Sequence, residues 1–219
     1  MKNLFLILLV AAFAFNANGQ KTKVTESTEK IGNGKNNCLV VNIAEANADD
    51  IIKEWKDKMK GFGAKVSGKS EMMADDATIL AISSNTIDVY SVTEQKDGYV
   101  KFMVAFDLGG AYLNSKEHTS GYKAAEKMIY DFAIAMAKDA VNKQLNAQKE
   151  MVSKTEKNIK DLEKENEKLA KDIEDYKKRI EDAEKKTEEN KSSIETENKN
   201  LEEQNSALKD LEKKFNAVD

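Results

Sequence analysis

Proline is absent from this 219-residue chain, and cysteine and histidine occur once each, as Cys38 and His118. A single cysteine cannot close an intramolecular disulfide, so stability must come from packing or association, although Cys38 could bridge two chains in an oxidising compartment. Cys38 and His118 together supply too few ligands for a tetrahedral zinc site. Nothing in the sequence brings Cys38 and His118 together as a catalytic pair. We therefore expect Cys38 to be a small apolar residue on a strand and His118 to lie in a loop.

Aromatic residues are also scarce, at 7% of the chain, so no more than about half of it can form an ordinary core. The net charge is -4, and loss of Lys2 with an export signal would leave 34 basic against 39 acidic residues, or -5. This balance offers no basic surface for a phosphate backbone, so nucleic acid is not an expected partner. The phosphate-binding, dinucleotide and zinc-protease motifs are absent from the sequence. We therefore predict a protein that is not an enzyme, with no catalytic, cofactor-binding or metal-binding residues.

The first nineteen residues have the pattern of a secretory signal peptide. Lys2 is followed by an apolar run from Leu4 to Phe15, and small residues then precede a cleavage point after Gly19. The run would span about 18 Å as a helix, well short of the roughly 30 Å hydrocarbon layer. Because Cys38 lies far beyond the cleavage point, a lipoprotein is not expected. The sequence thus predicts a periplasmic or secreted protein with no transmembrane segment in the mature chain.

Apolar periodicity divides the remaining chain into three parts. Residues 20–35 are polar and predict a flexible leader or an edge segment. Residues 36–140 predict an α+β domain, a small two-layer sandwich with an antiparallel sheet and helices on one face. Residues 141–219 predict a long C-terminal coiled-coil helix, because neither glycine nor proline occurs after Gly121.

The elements of the α+β domain follow from alternation and helical spacing. Alternating apolar residues predict a strand that begins near Cys38. A helix follows and ends near Gly61, with Ile51, Ile52, Trp55 and Met59 on one face. Further strands are expected at 64–67, 77–83, 87–93 and 100–106, the last two joined by a turn at Asp97 and Gly98. A second helix, capped by Ser115 or Ser120, is expected to bury Tyr122, Ala125, Met128, Phe132 and Met136.

The C-terminal part carries one heptad phase without a break. Nine of the eleven a positions are apolar, and the series is Leu145, Val152, Ile159, Asn166, Ile173, Ile180, Thr187, Ile194, Leu201, Leu208 and Phe215. The d positions are well formed from Leu162 to Ala183 and polar from Asn190 to Gln204. This pattern is typical of a left-handed coiled coil, and Ile at a with Leu at d favours two parallel strands. We therefore expect a parallel homodimer, with an antiparallel helical hairpin turning within residues 186–204 as the alternative.

Three places in the α+β domain are candidates for binding. Trp55 is expected in the core, with the rim of a groove as the alternative. The segment 107–116, with Gly109, Gly110, Tyr112 and Asn114, combines polar and aromatic groups on irregular backbone, where recognition often occurs. Met72 and Met73 beside Asp75 and Asp76 are interpreted as a polar loop in preference to a metal site.

Four segments carry a resemblance to known sequences. They are Ala17-Asn18-Gly19-Gln20, Ser83-Ser84-Asn85-Thr86-Ile87-Asp88-Val89-Tyr90, Phe106-Asp107-Leu108-Gly109-Gly110 and the Lys- and Glu-rich tail. Together they look like a group of uncharacterised exported bacterial proteins, whose families carry no established activity. The layout of a compact domain with a helical arm is also similar to trimeric periplasmic holdase chaperones, although those are strongly basic.

Three functions follow as hypotheses. The first is a non-enzymatic envelope protein that dimerises through its coiled coil and recognises an unknown protein or surface component with its α+β domain. The second is a small-ligand-binding or enzymatic α+β domain, which requires a well-formed pocket near Gly109 and Gly110. The third is a periplasmic holdase that shelters unfolded clients along its arms.

Overall fold

The computed structural model describes residues 22–217, so the predicted signal peptide lies outside the described residues. Residues 22–148 form one compact unit, here called the head, and residues 149–217 form a second unit, the tail. The elements are β1 Val24–Ile31, β2 Gly34–Ala44, α1 Ala48–Gly61, β3 Lys65–Ser67, β4 Met72–Ala77, β5 Ile87–Lys96, β6 Tyr99–Asp107 and α2 Thr119–Asn216. The strands form one antiparallel sheet in the order β1-β2-β6-β5-β4-β3. The predicted α+β class with a long C-terminal helix is confirmed.

The first strand corrects the expectation of a flexible leader over residues 20–35. Residues Val24–Ile31 pair with β2 along their whole length, and Val24 and Ile31 at the two ends are buried. The side chains between them are polar and largely exposed, because an edge strand is free to face water on much of its surface. The polar composition that suggested a leader is therefore that of an edge strand, the other interpretation left open by the sequence.

One face of the sheet is covered by helices, as predicted. Helix α1 begins after Asn47, whose side chain accepts a hydrogen bond from the N–H of Asp49 at 2.8 Å, and buries Ile51, Trp55 and Met59. The Trp55 ring is fully buried, with its centroid 5.3 Å from that of Phe102 on β6 and 4.9 Å from that of Phe132 on α2. The core interpretation of Trp55 is thus confirmed, and this residue joins both helices to the sheet.

The opposite face of the sheet holds a second, smaller core because the sheet curls. Strand β1 comes within 8 Å of β5 at the Cα atoms, although β2 and β6 lie between them in the strand order. Lys101 on β6 reaches across β2 to form a 3.0 Å ion pair with Glu29 on β1. The cluster enclosed on this face consists of Ile31, Cys38, Val40, Met103 and Ala105, with Tyr90, Val92 and Tyr112 packed against it.

The tip of the β1–β2 hairpin closes this second core. Gly32 has a φ of 67°, and a Cβ there would lie 2.7 Å from the hydroxyl of Tyr112 and 3.3 Å from the ring of Tyr90. Its N–H donates to a carboxylate oxygen of Glu71 at 3.0 Å. The hairpin is therefore attached to residues that lie far from it in the sequence.

The fourth strand was predicted in the wrong place. The sequence suggested a strand at 77–83, but β4 occupies Met72–Ala77 and ends where residues 78–86 leave the sheet. The interpretation of Met72 and Met73 as part of a polar loop is therefore wrong. The register in which β4 pairs with β5 shifts between Ala74 and Ala77, and Asp76 takes a φ of 58°. A bulge therefore interrupts the alternation of apolar and polar residues by which a strand is recognised.

Gly121 allows α2 to approach the loop that follows β4. A Cβ at this position would lie 2.5 Å from the carbonyl oxygen of Ile82, a backbone atom that cannot move aside cheaply. We expect Gly121→Ala to lower the free energy of unfolding by about 1–3 kcal/mol in denaturant titrations. Gly61→Ala is the matched control at a helical glycine, because a Cβ there meets nothing within 4 Å, and it should be neutral or slightly stabilising. Equal stability of the two variants would contradict the close approach.

Helix α2 includes both the second helix predicted for the α+β domain and the predicted long C-terminal helix. Its first turns bury Ala125, Phe132 and Met136, with Tyr122 and Met128 partly buried, so the predicted stripe is confirmed. The helix then continues through residues 186–204, where the hairpin alternative requires a turn, and that alternative is therefore wrong. Within residues 22–217, no helix combines the length and apolar character needed to cross a membrane.

Candidate functional site

The segment between β6 and α2 forms an ordered loop on the head. Leu108 donates its N–H to the carbonyl of Ala111 at 3.0 Å, and Gly109 donates its N–H to the Asp107 carboxylate at 2.9 Å. Gly109 takes a φ of 88°, which this tight turn requires. Tyr112 then returns to the end of β6, where it forms a bridge with Asp107.

Tyr112 connects the loop to the second core. Its ring centroid lies 6.4 Å from that of Tyr90, and its hydroxyl donates to the side-chain oxygen of Asn33 at 3.2 Å. Burial and the nearby carboxylate of Asp107 raise the pKa of the Tyr112 hydroxyl, and burial raises that of Tyr90. Both hydroxyls therefore stay protonated and can donate hydrogen bonds at neutral pH.

The far end of the loop is fixed to the first hairpin by Glu26. Its carboxylate accepts hydrogen bonds from the Ser115 N–H at 2.9 Å, from the Ser115 hydroxyl and from the Asn37 amide at 2.7 Å. Burial alone would raise the pKa of Glu26, but these hydrogen bonds outweigh it and hold the pKa below its usual value. The Asn37 amide also donates to the carbonyl of Leu113 at 2.7 Å. The predicted binding loop is thus held at both ends by residues that sequence reasoning did not single out.

A polar surface cleft of about 590 Å³ lies beside the turn at Gly109 and Gly110. Its lining is Asn33, Asp76, Thr86, Ile87, Asp88, Asp107, Gly109, Gly110, Ala111 and Tyr112. The cleft is open and mostly polar, whereas drug-sized ligands usually occupy enclosed, largely apolar pockets. It therefore suits a polar group on a larger partner better than an enclosed small molecule.

Three carboxylates lie together at one side of this cleft. Single oxygens of Asp75, Asp76 and Asp88 are within 4.8 Å of one another. Asp88 accepts a hydrogen bond from the N–H of Asp76 at 3.1 Å, and Asp76 accepts one from the hydroxyl of Thr86 at 3.3 Å. These bonds hold the bulge in β4, so the structure accounts for the cluster as part of the strand irregularity.

Cys38 and His118 occupy different environments. Cys38 lies fully buried on β2 within the second core, and burial raises the pKa of its thiol to about 11. Such a thiol is poorly suited to nucleophilic chemistry or to a bridge between chains. His118 lies just before α2, where its Nδ1 accepts a hydrogen bond from the N–H of Asn114 at 3.3 Å.

Neither serine that was expected to cap α2 does so. Helix α2 begins at Thr119, Ser120 lies inside its first turn, and Ser115 bonds to Glu26 instead. The turn before the helix is held by the side chain of Asn114, whose oxygen accepts from the N–H groups of Lys116 and Glu117. The polar loop residues thus shape the entry into α2.

The most extensive exposed apolar surface belongs to the heptad positions of α2. The apolar residues at these positions, here called the seam, are each 46–80% exposed: Leu145, Val152, Ile159, Leu162, Leu169, Ile173, Tyr176, Ile180, Ile194, Leu201, Leu208, Leu211 and Phe215. These residues recur at heptad spacing, and beyond the head most of the other side chains of the helix are charged or polar. Soluble proteins rarely leave such a continuous apolar surface in contact with water.

Comparisons of the chain with protein-family models, with curated proteins and with solved structures returned no match.

Proposed function

We propose that this chain is a non-enzymatic exported protein whose tail pairs with a second copy as a parallel coiled coil and whose head recognises a protein or surface component. The exposed seam of α2 is the observation that carries this proposal. Water favours burial of such a surface, and an identical seam on a second copy has the complementary spacing. The paired helices serve as the oligomerising and spacing element of the molecule.

The charges beside the seam support a parallel arrangement. In parallel register, Asp172 faces Lys177 of the second copy and Arg179 faces its Glu184, so both pairs attract. Asn166 occupies an a position, where a buried pair of asparagines favours one register at a cost in stability. Lys186 faces Lys191, and polar d positions follow, so pairing is weakest between 186 and 204.

The ordered loop of the head is the proposed recognition surface. It presents Gly109, Gly110 and Tyr112 beside a polar cleft, and the Glu26 and Asn33 contacts hold it in place. Prearranged loops lose little conformational entropy on binding. The open cleft favours this proposal over a small-ligand-binding head, which requires a well-formed pocket.

Export to the periplasm or the extracellular space is part of the proposal. It rests on the apolar run from Leu4 to Phe15 and the cleavage pattern that ends at Gly19. We also propose that the chain belongs to the group of uncharacterised exported bacterial proteins, because four of its segments resemble that group.

The mass of the mature chain in solution tests the pairing. Sedimentation equilibrium of residues 20–219 at micromolar concentration should give twice the chain mass, because a seam of this length buries ample apolar surface. A monomer with a helical tail would refute the pairing. A three-chain assembly that suppresses aggregation of an unfolded client protein would favour the holdase hypothesis instead.

A further inference from the structure

Within the head, α2 has two opposite apolar sides. One side packs into the main core through Ala125, Ile129, Phe132, Ala133 and Met136. At about 3.6 residues per turn, Ile134, Val141 and Leu145 lie on roughly the opposite side of the helix. Val141 is 50% exposed and Leu145 46% exposed, although both belong to the compact unit that contains the sheet.

This outer side continues the heptad phase of the seam. Leu145 is an a position, and Val141 is the d position that precedes it. The next two a positions toward the head are Lys138 and Asp131, both exposed. In a parallel pair each of these layers would place two like charges together, which opposes pairing.

Contacts with α1 and with Glu45, which lies between β2 and α1, occupy the other side of the same turns. Lys143 donates to a carboxylate oxygen of Asp50 at 2.9 Å, and Gln144 donates to Glu45 at 3.2 Å. The rest of the head therefore contacts one side of α2 at residues 143–144, while Val141 and Leu145 are exposed on the other side. Attachment of the head leaves the outer side open to another helix.

We propose that the outer side of α2 at Val141 and Leu145 is the first part of the interface with a second copy, and that pairing ends at Lys138. The inference rests on the proposed parallel pairing and adds where it begins. The same helical turns hold the head on one side and the second copy on the other. At these turns the rest of each head consequently packs on the side of its own α2 that faces away from the second copy.

The test uses the full mature chain and compares two lysine substitutions. Val141→Lys places a like-charged layer in the proposed interface, whereas Asn146→Lys adds the same charge at an exposed position outside the seam. In sedimentation equilibrium, Val141→Lys should raise the dimer dissociation constant about tenfold or more. Asn146→Lys should change it by less than about twofold, as expected for an exposed charge.

Lys138→Ile provides the converse variant, because it replaces the charged layer by an apolar one and should lower the dissociation constant. If Val141→Lys and Asn146→Lys dimerise equally well, the interface does not reach the head and the inference is overturned, while the proposed pairing of the tail stands. A wild-type chain that stays monomeric overturns the pairing itself. Near-UV circular dichroism of each variant should match that of the wild type, so that a change in dimerisation is not caused by unfolding of the head.

Discussion

Lysine in place of Ile173 is expected to separate the proposed coiled-coil dimer into monomers. Ile173 is an a position in the best-formed part of the seam and is 55% exposed in the single chain. Loss of one buried isoleucine side chain costs about 2–5 kcal/mol, and a symmetric pair loses two. The dissociation constant should therefore rise about a thousandfold or more. Far-UV helicity should fall as well, because an unpaired charged helix has little stability of its own.

The matched control for this prediction is Ser192→Lys. Ser192 lies at an f position of the same helix, on the side away from the seam, so it receives the same charge without entering the interface. Sedimentation equilibrium and far-UV circular dichroism should not distinguish it from the wild type. If Ile173→Lys retains the wild-type mass and helicity, the seam is not what joins the chains.

Alanine in place of Trp55 is expected to produce the largest loss of stability in the head. The ring is fully buried and contacts Phe102 and Phe132 edge-on, so its removal leaves a cavity where α1, α2 and β6 meet. Substitutions of this size cost about 3–5 kcal/mol. Denaturant unfolding followed by near-UV circular dichroism of the tyrosines would measure the change.

The Trp55→Phe variant keeps an aromatic ring at this position, so comparing it with Trp55→Ala shows how much of the stability cost depends on retaining an aromatic ring. The Nε1 of Trp55 makes no hydrogen bond within the described residues, so its removal leaves no donor or acceptor without a partner. Trp55→Phe should therefore cost less than half as much as Trp55→Ala. Similar costs for the two variants would show that the fit of the indole ring itself determines stability.

Local sequence patterns predicted the elements whose apolar residues follow a regular helical or alternating spacing. Helix α1 follows from the spacing of Ile51, Trp55 and Met59, and the β5–β6 hairpin follows from alternation around Asp97 and Gly98. Strands β1 and β4 were missed for different physical reasons. Strand β1 has few apolar residues because it lies at an edge, and β4 loses its alternation at the bulge around Asp76.

Composition located the loop at residues 107–116, the proposed recognition surface, but did not predict which residues surround it. Gly109, Gly110 and Tyr112 are neighbours in the sequence, so a turn rich in glycine and aromatic character is visible directly. Glu26 and Asn33 contact the loop from more than seventy positions away. A single sequence carries no signal for such pairings, because they depend on how the hairpin folds over the curled sheet.

The amino-acid sequence by itself determined that α2 carries one apolar seam in a single heptad phase, since that property depends only on the identity and spacing of residues along a helix. Tertiary structure alone decided which side of the first turns of α2 packs into the main core. It also decided that the sheet curls to bury Cys38, because both outcomes depend on contacts between segments distant in the chain. Local periodicity places residues on a face, whereas packing determines what covers that face.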